Sequence, residues 1–103
     1  MKTTTSKITN MTNSYGDDAP NQFEIEGYVH FEEATASASI FQSYGNIIAI
    51  IDYRKGTKNV TLDAKLWNSS KTTCRYRSQF LNENVRVTKK KINAGEYTLA
   101  NLN

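Results

Sequence analysis

The run Ile47-Ile48-Ala49-Ile50-Ile51-Asp52-Tyr53 constrains the fold more than any other stretch of this chain. It is almost wholly β-branched, which stiffens χ1 and suits a pleated strand better than a helix. Apolar residues at consecutive positions need cover on both faces, so this strand belongs in the middle of a sheet. The run is far shorter than the ~20 apolar residues needed to span a bilayer. A chain of 103 residues builds one two-layer core of this kind, and the other segments must supply the neighbouring strands and a covering layer.

Those segments alternate. Phe23, Ile25, Val29 and Phe31 take turns with Glu24, Glu26, Tyr28, His30 and Glu32, a period of two that marks a half-buried strand. Gly27 falls in phase with the apolar set and marks a bulge or a close backbone approach. Ile40–Tyr44 reads as a second strand, with Ala34–Ser39 either connecting to it or beginning it. Gly45-Asn46 is a tight-turn dipeptide, and Arg54–Lys58 makes the next turn. Val60, Leu62, Ala64 and Leu66 then point one way along a strand that reaches Trp67. Short turns between successive strands imply an antiparallel meander.

Asn68-Ser69-Ser70 breaks the alternation, and Ser70 or Thr72 caps a helix. At about 100° per residue, Thr73, Cys74, Tyr76, Arg77, Phe80 and Leu81 share one broad face, while Lys71, Arg75, Ser78 and Gln79 face outward. Val85–Val87 reads as a short extension, Thr88 as the cap of a second helical turn stopped by Gly95, and Tyr97–Leu99 as a last edge strand. Residues 1–20 are rich in Thr, Ser, Asn and Asp, lack apolar periodicity and end at Pro20, the pattern of a flexible N-terminal arm. The expectation is therefore an α+β domain over 21–103. It has a small, mainly antiparallel sheet of four to five strands, one helix at about 72–82 packed on a face and a short second helix at about 88–94. The expected core is Phe23, Ile25, Val29, Phe31, Ile40, Ile48, Ile50, Leu62, Leu66, Phe80 and Leu81.

Charge separates the two halves. Residues 1–53 carry two lysines against seven carboxylates, net −5, and residues 54–103 carry eleven Lys and Arg against three carboxylates, net +8. Such asymmetry either attracts an anionic partner or is neutralised internally when the halves pack together. The basic residues Lys71, Arg75, Arg77, Arg86, Lys89, Lys90 and Lys91 are candidates for nucleic acid, with phosphate contacts that do not read bases. Arg77 stands apart because it lies in the apolar face of its helix. It either binds a phosphate or carboxylate between Tyr76 and Phe80, or is a structural cation paired with Asp52 or Asp63. The acidic and aromatic residues Glu24, Glu26, Tyr28, Tyr44, Tyr53 and Trp67 are candidates for protein binding.

Catalytic chemistry finds little purchase. His30 is the sole histidine and Cys74 the sole cysteine. A general acid–base reading of His30, of the small-ribonuclease kind, needs a second group converging across the sheet. A lone thiol builds neither an internal disulfide nor a multi-cysteine zinc site. No cofactor or metal is expected, and no enzymatic activity. The opening segment MKTTTSKITN has no apolar h-region, so the expected location is the cytoplasm, with no membrane partner.

The succession SYG (43–45), IIAIID (47–52), VTL (60–62), WN (67–68), TT (72–73), RYRSQFL (75–81) and INAGEY (92–97) resembles a family of small uncharacterised phage and mobile-element proteins of low-GC Gram-positive bacteria. It covers about 43–103. The resemblance implies a setting rather than a mechanism: a non-catalytic accessory protein that binds a host protein or nucleoprotein, such as an anti-CRISPR-like inhibitor of host defence. A sequence-tolerant nucleic-acid-binding module is the alternative, and a small ribonuclease-like enzyme the remote one.

Overall fold

A computed structural model describes residues 2–103. The chain forms β1 (Lys2–Thr12), β2 (Asp18–His30), β3 (Thr35–Ser43), β4 (Asn46–Asp52), β5 (Asn59–Asp63), α1 (Lys71–Leu81), α2 (Val85–Asn93) and β6 (Tyr97–Ala100). The fold is α+β, with a mixed sheet of six strands rather than four or five, in the order β1-β2-β3-β4-β5-β6. β2 to β5 form the expected antiparallel meander, β1 adds to it antiparallel beside β2, and β6 returns from the two helices to lie parallel beside β5.

The additional strand is β1, in the segment expected to be an arm. Thr3, Thr4 and Thr5 are β-branched and suit a strand, and an edge strand needs a partner on one side only. It therefore requires no apolar alternation. β1 pairs along β2 from Lys2 opposite His30 to Thr12 opposite Asp18, with irregularities between Thr5 and Lys7 and between Asn10 and Thr12. Along it only Met11 is buried.

The other boundaries shift for local reasons. β5 stops at Asp63, not Trp67, because the Asp63 carboxylate accepts the N–H groups of Lys65 at 3.1 Å and Leu66 at 2.9 Å and turns the chain out of the sheet. Of the two expected caps, Ser70 and Thr72, it is Ser70 that starts α1, its Oγ accepting the Thr73 N–H at 3.1 Å. It ends at Asn82, held left-handed at φ 55°, ψ 46°. α2 starts three residues before Thr88, because Asn84 Oδ1 accepts the Val87 N–H at 3.0 Å and caps it. Val85–Val87 is thus helical, and Thr88 is buried, donating its hydroxyl to Glu83 Oε1 at 2.9 Å.

The apolar residues divide between the two sheet faces. Phe41, Ile48, Ala49, Ile51, Val60 and Leu62 gather with Tyr76 and Leu81 of α1 and Tyr97 of β6. The Phe41 and Phe80 rings stack there, 5.9 Å apart. Ile25, Val29, Ala38, Ile40 and Ile50 form a second cluster with Leu102, flanked by Phe23, Phe31, Ile47 and Ala100. The pairings Ile25–Ile40–Ile50 and Phe41–Ala49–Leu62 run across adjacent positions, so the two clusters lie on opposite faces. A bulge makes this possible. Phe41 pairs with Ala49 but Gln42 with Ile47, which leaves Ile48 as the extra residue and turns Ile48 and Ala49 to the same side. The single core expected under the helix is therefore two. Phe23, Phe31, Leu66 and Phe80 are only partly buried, whereas Phe41, absent from the expected core, is fully enclosed.

A short 3-10 turn at Arg54–Gly56 joins β4 to β5, with Lys55 at φ 54°, ψ 31°. A non-glycine residue there costs roughly 1–2 kcal/mol, part of which glycine recovers. Lys55→Gly is expected to raise the unfolding free energy by up to about 1 kcal/mol, measured as a higher urea midpoint at constant slope.

Candidate functional site

The helices cover the later strands and the hairpin end of β1 and β2, where Met11 and Ala19 join Tyr76 and Leu81, but leave the stretch around Tyr28 open. On the same face, the pairings place Thr4, Tyr28 and Ser37 in one row, with Tyr53 brought alongside by its N–H bond to Ser37 O at 3.2 Å. The next row is Lys7, Glu26 and Ser39, and the next Thr9 and Glu24 before Phe41. Tyr28 and Tyr53 are 45% and 48% exposed, large values for aromatic side chains on a sheet. Glu26, Tyr28 and Tyr53 line one shallow depression of about 310 Å³ with Ser6, Ser37 and Ser39. The fold thus gathers Glu24, Glu26, Tyr28 and Tyr53 into one patch. It leaves out Tyr44, exposed at the β3–β4 turn, and Trp67, half-buried in the turn after β5. Lys7, Ser37 and Ser39 belong to the patch without having been candidates. The alternation Ser37-Ala38-Ser39 was their signal, but only cross-strand register shows what it lies beside.

The basic candidates divide as well. Lys71 and Arg75 are exposed on α1, and Arg86, Lys89 and Lys90 on α2, where spacings of three and four put them on one face. Lys91 turns away, donating to Glu83 Oε2 at 2.9 Å with its Nζ 5.3 Å from the Tyr97 ring centre. Burial pushes the Glu83 carboxyl up, but hydrogen bonds from Lys91, Tyr97 and Thr88 outweigh it and hold the group below its ordinary value. The same bond from the other side raises Lys91. This pair fastens α2 to the end of α1.

Arg77 is completely buried, so its guanidinium presents nothing to a polyanion passing over the surface. The expected pairing with Asp52 or Asp63 is absent too. Asp52 binds Arg54 Nε at 3.1 Å and Asn59 at 3.3 Å. Asp63 accepts from Lys65, Leu66, Leu102 and Asn103. Arg77 instead donates from Nη1 to Trp67 O, to Asn68 Oδ1 at 3.4 Å and to Cys74 Sγ at 3.5 Å, with its carbon 5.2 Å from the Trp67 ring centre.

His30 is held between two threonines, Thr4 Oγ1 at 2.6 Å from Nε2 and Thr35 Oγ1 at 3.2 Å from Nδ1. Both ring nitrogens are engaged by hydroxyls of neighbouring strands, and among the described residues no carboxylate pairs with the ring to orient it as a base. Cys74 donates to Asn68 Oδ1 at 2.9 Å. Among the described residues no three His, Cys, Asp or Glu side chains cluster as metal ligands, and no helix is long and apolar enough to cross a membrane. Comparison with protein-family models, with characterised proteins and with solved structures finds no match to this chain.

Proposed function

We propose that this chain is a non-catalytic binding module, an accessory protein of the phage or mobile-element kind that inhibits a host protein or nucleoprotein by docking on it. The observation that carries this reading is the uncovered sheet face, where Tyr28 and Tyr53 stand exposed side by side with Glu24 and Glu26 on a rigid hydrogen-bonded surface. Aromatic side chains lose little entropy on contact and supply much of the energy of protein interfaces. Glu24 and Glu26 outnumber Lys7 in the patch, which suits a basic partner surface, as host nucleic-acid-binding proteins present. The anti-defence role rests on the resemblance of residues 43–103 to mobile-element proteins.

The test is capture from a Gram-positive host lysate by the immobilised protein and by two double variants. Tyr28→Ala/Tyr53→Ala is expected to lower recovery of the specific partner at least tenfold, since each interface hot spot is worth about 2 kcal/mol or more. Lys89→Ala/Lys90→Ala is expected to leave recovery unchanged. The opposite pattern overturns the sheet-face reading.

One observation favours a second reading. Lys71, Arg75, Arg86, Lys89 and Lys90 are exposed on the helical side, and none of them forms an ion pair among the described residues. Nucleic-acid binding through them requires log affinity to fall steeply with log salt. Absence of a mobility shift at low salt eliminates it.

A further inference from the structure

Arg77 stores a charge that the protein does not neutralise. Its Nε and Nη2 are buried and have no hydrogen-bond partner among the described residues. Its third nitrogen meets only neutral acceptors. A guanidinium does not deprotonate in proteins, so a full positive charge sits out of water without a carboxylate. Left alone, such a group is strongly unfavourable. Glu83 lines the same groove as Arg77, but both of its oxygens are taken, Oε1 by Thr88 and Oε2 by Lys91.

Beside Arg77 runs an open groove of about 620 Å³ along α1 and the turn into α2. Its walls include Lys71, Arg75, Ser78 and Gln79 together with Arg77 itself and Cys74. Three cations, a hydroxyl and the carboxamides of Gln79, Asn82 and Asn84 therefore border one space, against a single carboxylate already neutralised by Lys91.

We propose that this groove is a binding site for a phosphate monoester, with Arg77 as the anchoring residue and Lys71 and Arg75 as flanking cations. The dianion matches the excess of positive charge better than a carboxylate does. A phosphoryl group also accepts from a guanidinium bidentately, which would satisfy the nitrogens now without partners. Binding there requires the buried guanidinium to leave the Trp67 ring, a movement its flexible stem allows. The site is independent of the sheet face proposed above as a docking surface and lies on the other layer of the molecule.

Trp67 is the only tryptophan, so its emission reports departure of the guanidinium from its ring. Titrating the full chain with inorganic phosphate and pyrophosphate, by fluorescence and by calorimetry, is expected to give a saturable response that equal ionic strength of chloride does not. Arg77→Met is expected to fold, because replacing a buried ion by an apolar side chain of similar volume is often neutral or stabilising. It should weaken phosphate binding at least about tenfold, as loss of a charge-assisted pair requires. Arg75→Ala, at an exposed position, should weaken it several-fold. The proposal fails if wild type gives no saturable heat, if chloride reproduces the response, or if Arg77→Met binds as tightly as wild type. It fails equally if oligonucleotides bind and free phosphate does not, an outcome that assigns the cations to nucleic-acid backbone instead.

Discussion

Replacing Asp63 by alanine is expected to lower the unfolding free energy by about 3–5 kcal/mol, since it leaves several donors without an acceptor at once. One carboxylate, itself buried, holds the turn after β5 through Lys65 and Leu66. It also holds the segment after β6 through the Leu102 N–H at 2.9 Å and the Asn103 amide at 3.2 Å. The Asn103 carboxamide in turn pairs with both backbone groups of Ile47, at 2.7 and 2.9 Å, and so extends β4 where β5 has already ended. Water can replace the acceptor at the exposed turn, but not at the Leu102 N–H, whose bond is buried. The loss should therefore be concentrated in β6 and its tail, visible as faster amide exchange there.

The same carboxylate makes a pH prediction. Burial pushes Asp63 up, but the hydrogen bonds from Leu102, Leu66, Lys65 and Asn103 prevail and hold its pKa below the ordinary 3.8. A carboxyl depressed on folding contributes stability in full above its unfolded value, and that contribution fades as pH falls through the folded one. The stability gap between wild type and Asp63→Asn should accordingly be constant from neutral pH to about pH 5 and shrink below pH 4, in urea titrations at each pH. A gap that does not change with pH would mean that the ionised form is not what binds the four donors.

Gly27→Ala is expected to cost about 2–3 kcal/mol, at the upper end of the range for overpacking, with Gly27→Val costing more. A β-carbon on Gly27 would lie 1.9 Å from the Thr4 carbonyl oxygen, 3.0 Å from Thr4 C and 3.1 Å from Thr5 Cα. All three are backbone atoms, so no rotamer change relieves the contact and β1 itself must move. The irregularity between Thr5 and Lys7 lies opposite this position, so a stretch already poor in regular pairing takes the strain. β1 is bonded on one side only. Hydrogen exchange should show β1 losing protection in Gly27→Ala while β3, β4 and β5 keep theirs. Unchanged protection in β1 would show that the two strands do not approach this closely.

Much of this framework could be read from the residues, and the misses have physical causes. IIAIID supplied the central strand because a continuous β-branched run has few alternatives. The start of α1 was legible to within two residues because Ser70 and Thr72 are both able caps, and only Ser70 receives the Thr73 N–H. β1 was invisible because a one-sided edge strand of threonines needs no apolar period. α2 was begun too late because Asn84 and Thr88 are both able caps, and the choice between them depends on Thr88 meeting Glu83. The candidate patch was legible as residue types, Glu24, Glu26, Tyr28 and Tyr53, but not as a place. That required the register across β2 and β3 and the knowledge that the helices stop short of it. For Arg77 the sequence offered two aspartates, and both turned out to hold backbone elsewhere.

The order of strands in the sheet is also the order in which they are synthesised, and this bears on how the chain acquires its structure. Each of β2 to β5 can zip onto its predecessor as soon as it appears, with loop-closure costs limited to short turns. β6 is different. It must travel past two helices to reach β5, and Leu102 and Asn103, which complete the shell around Asp63, arrive after it. Until they do, the Asp63 carboxylate keeps only its two turn donors and the end of β4 lacks its side-chain cover. Docking of this last segment is therefore the step at which a nascent meander becomes a closed two-layer domain.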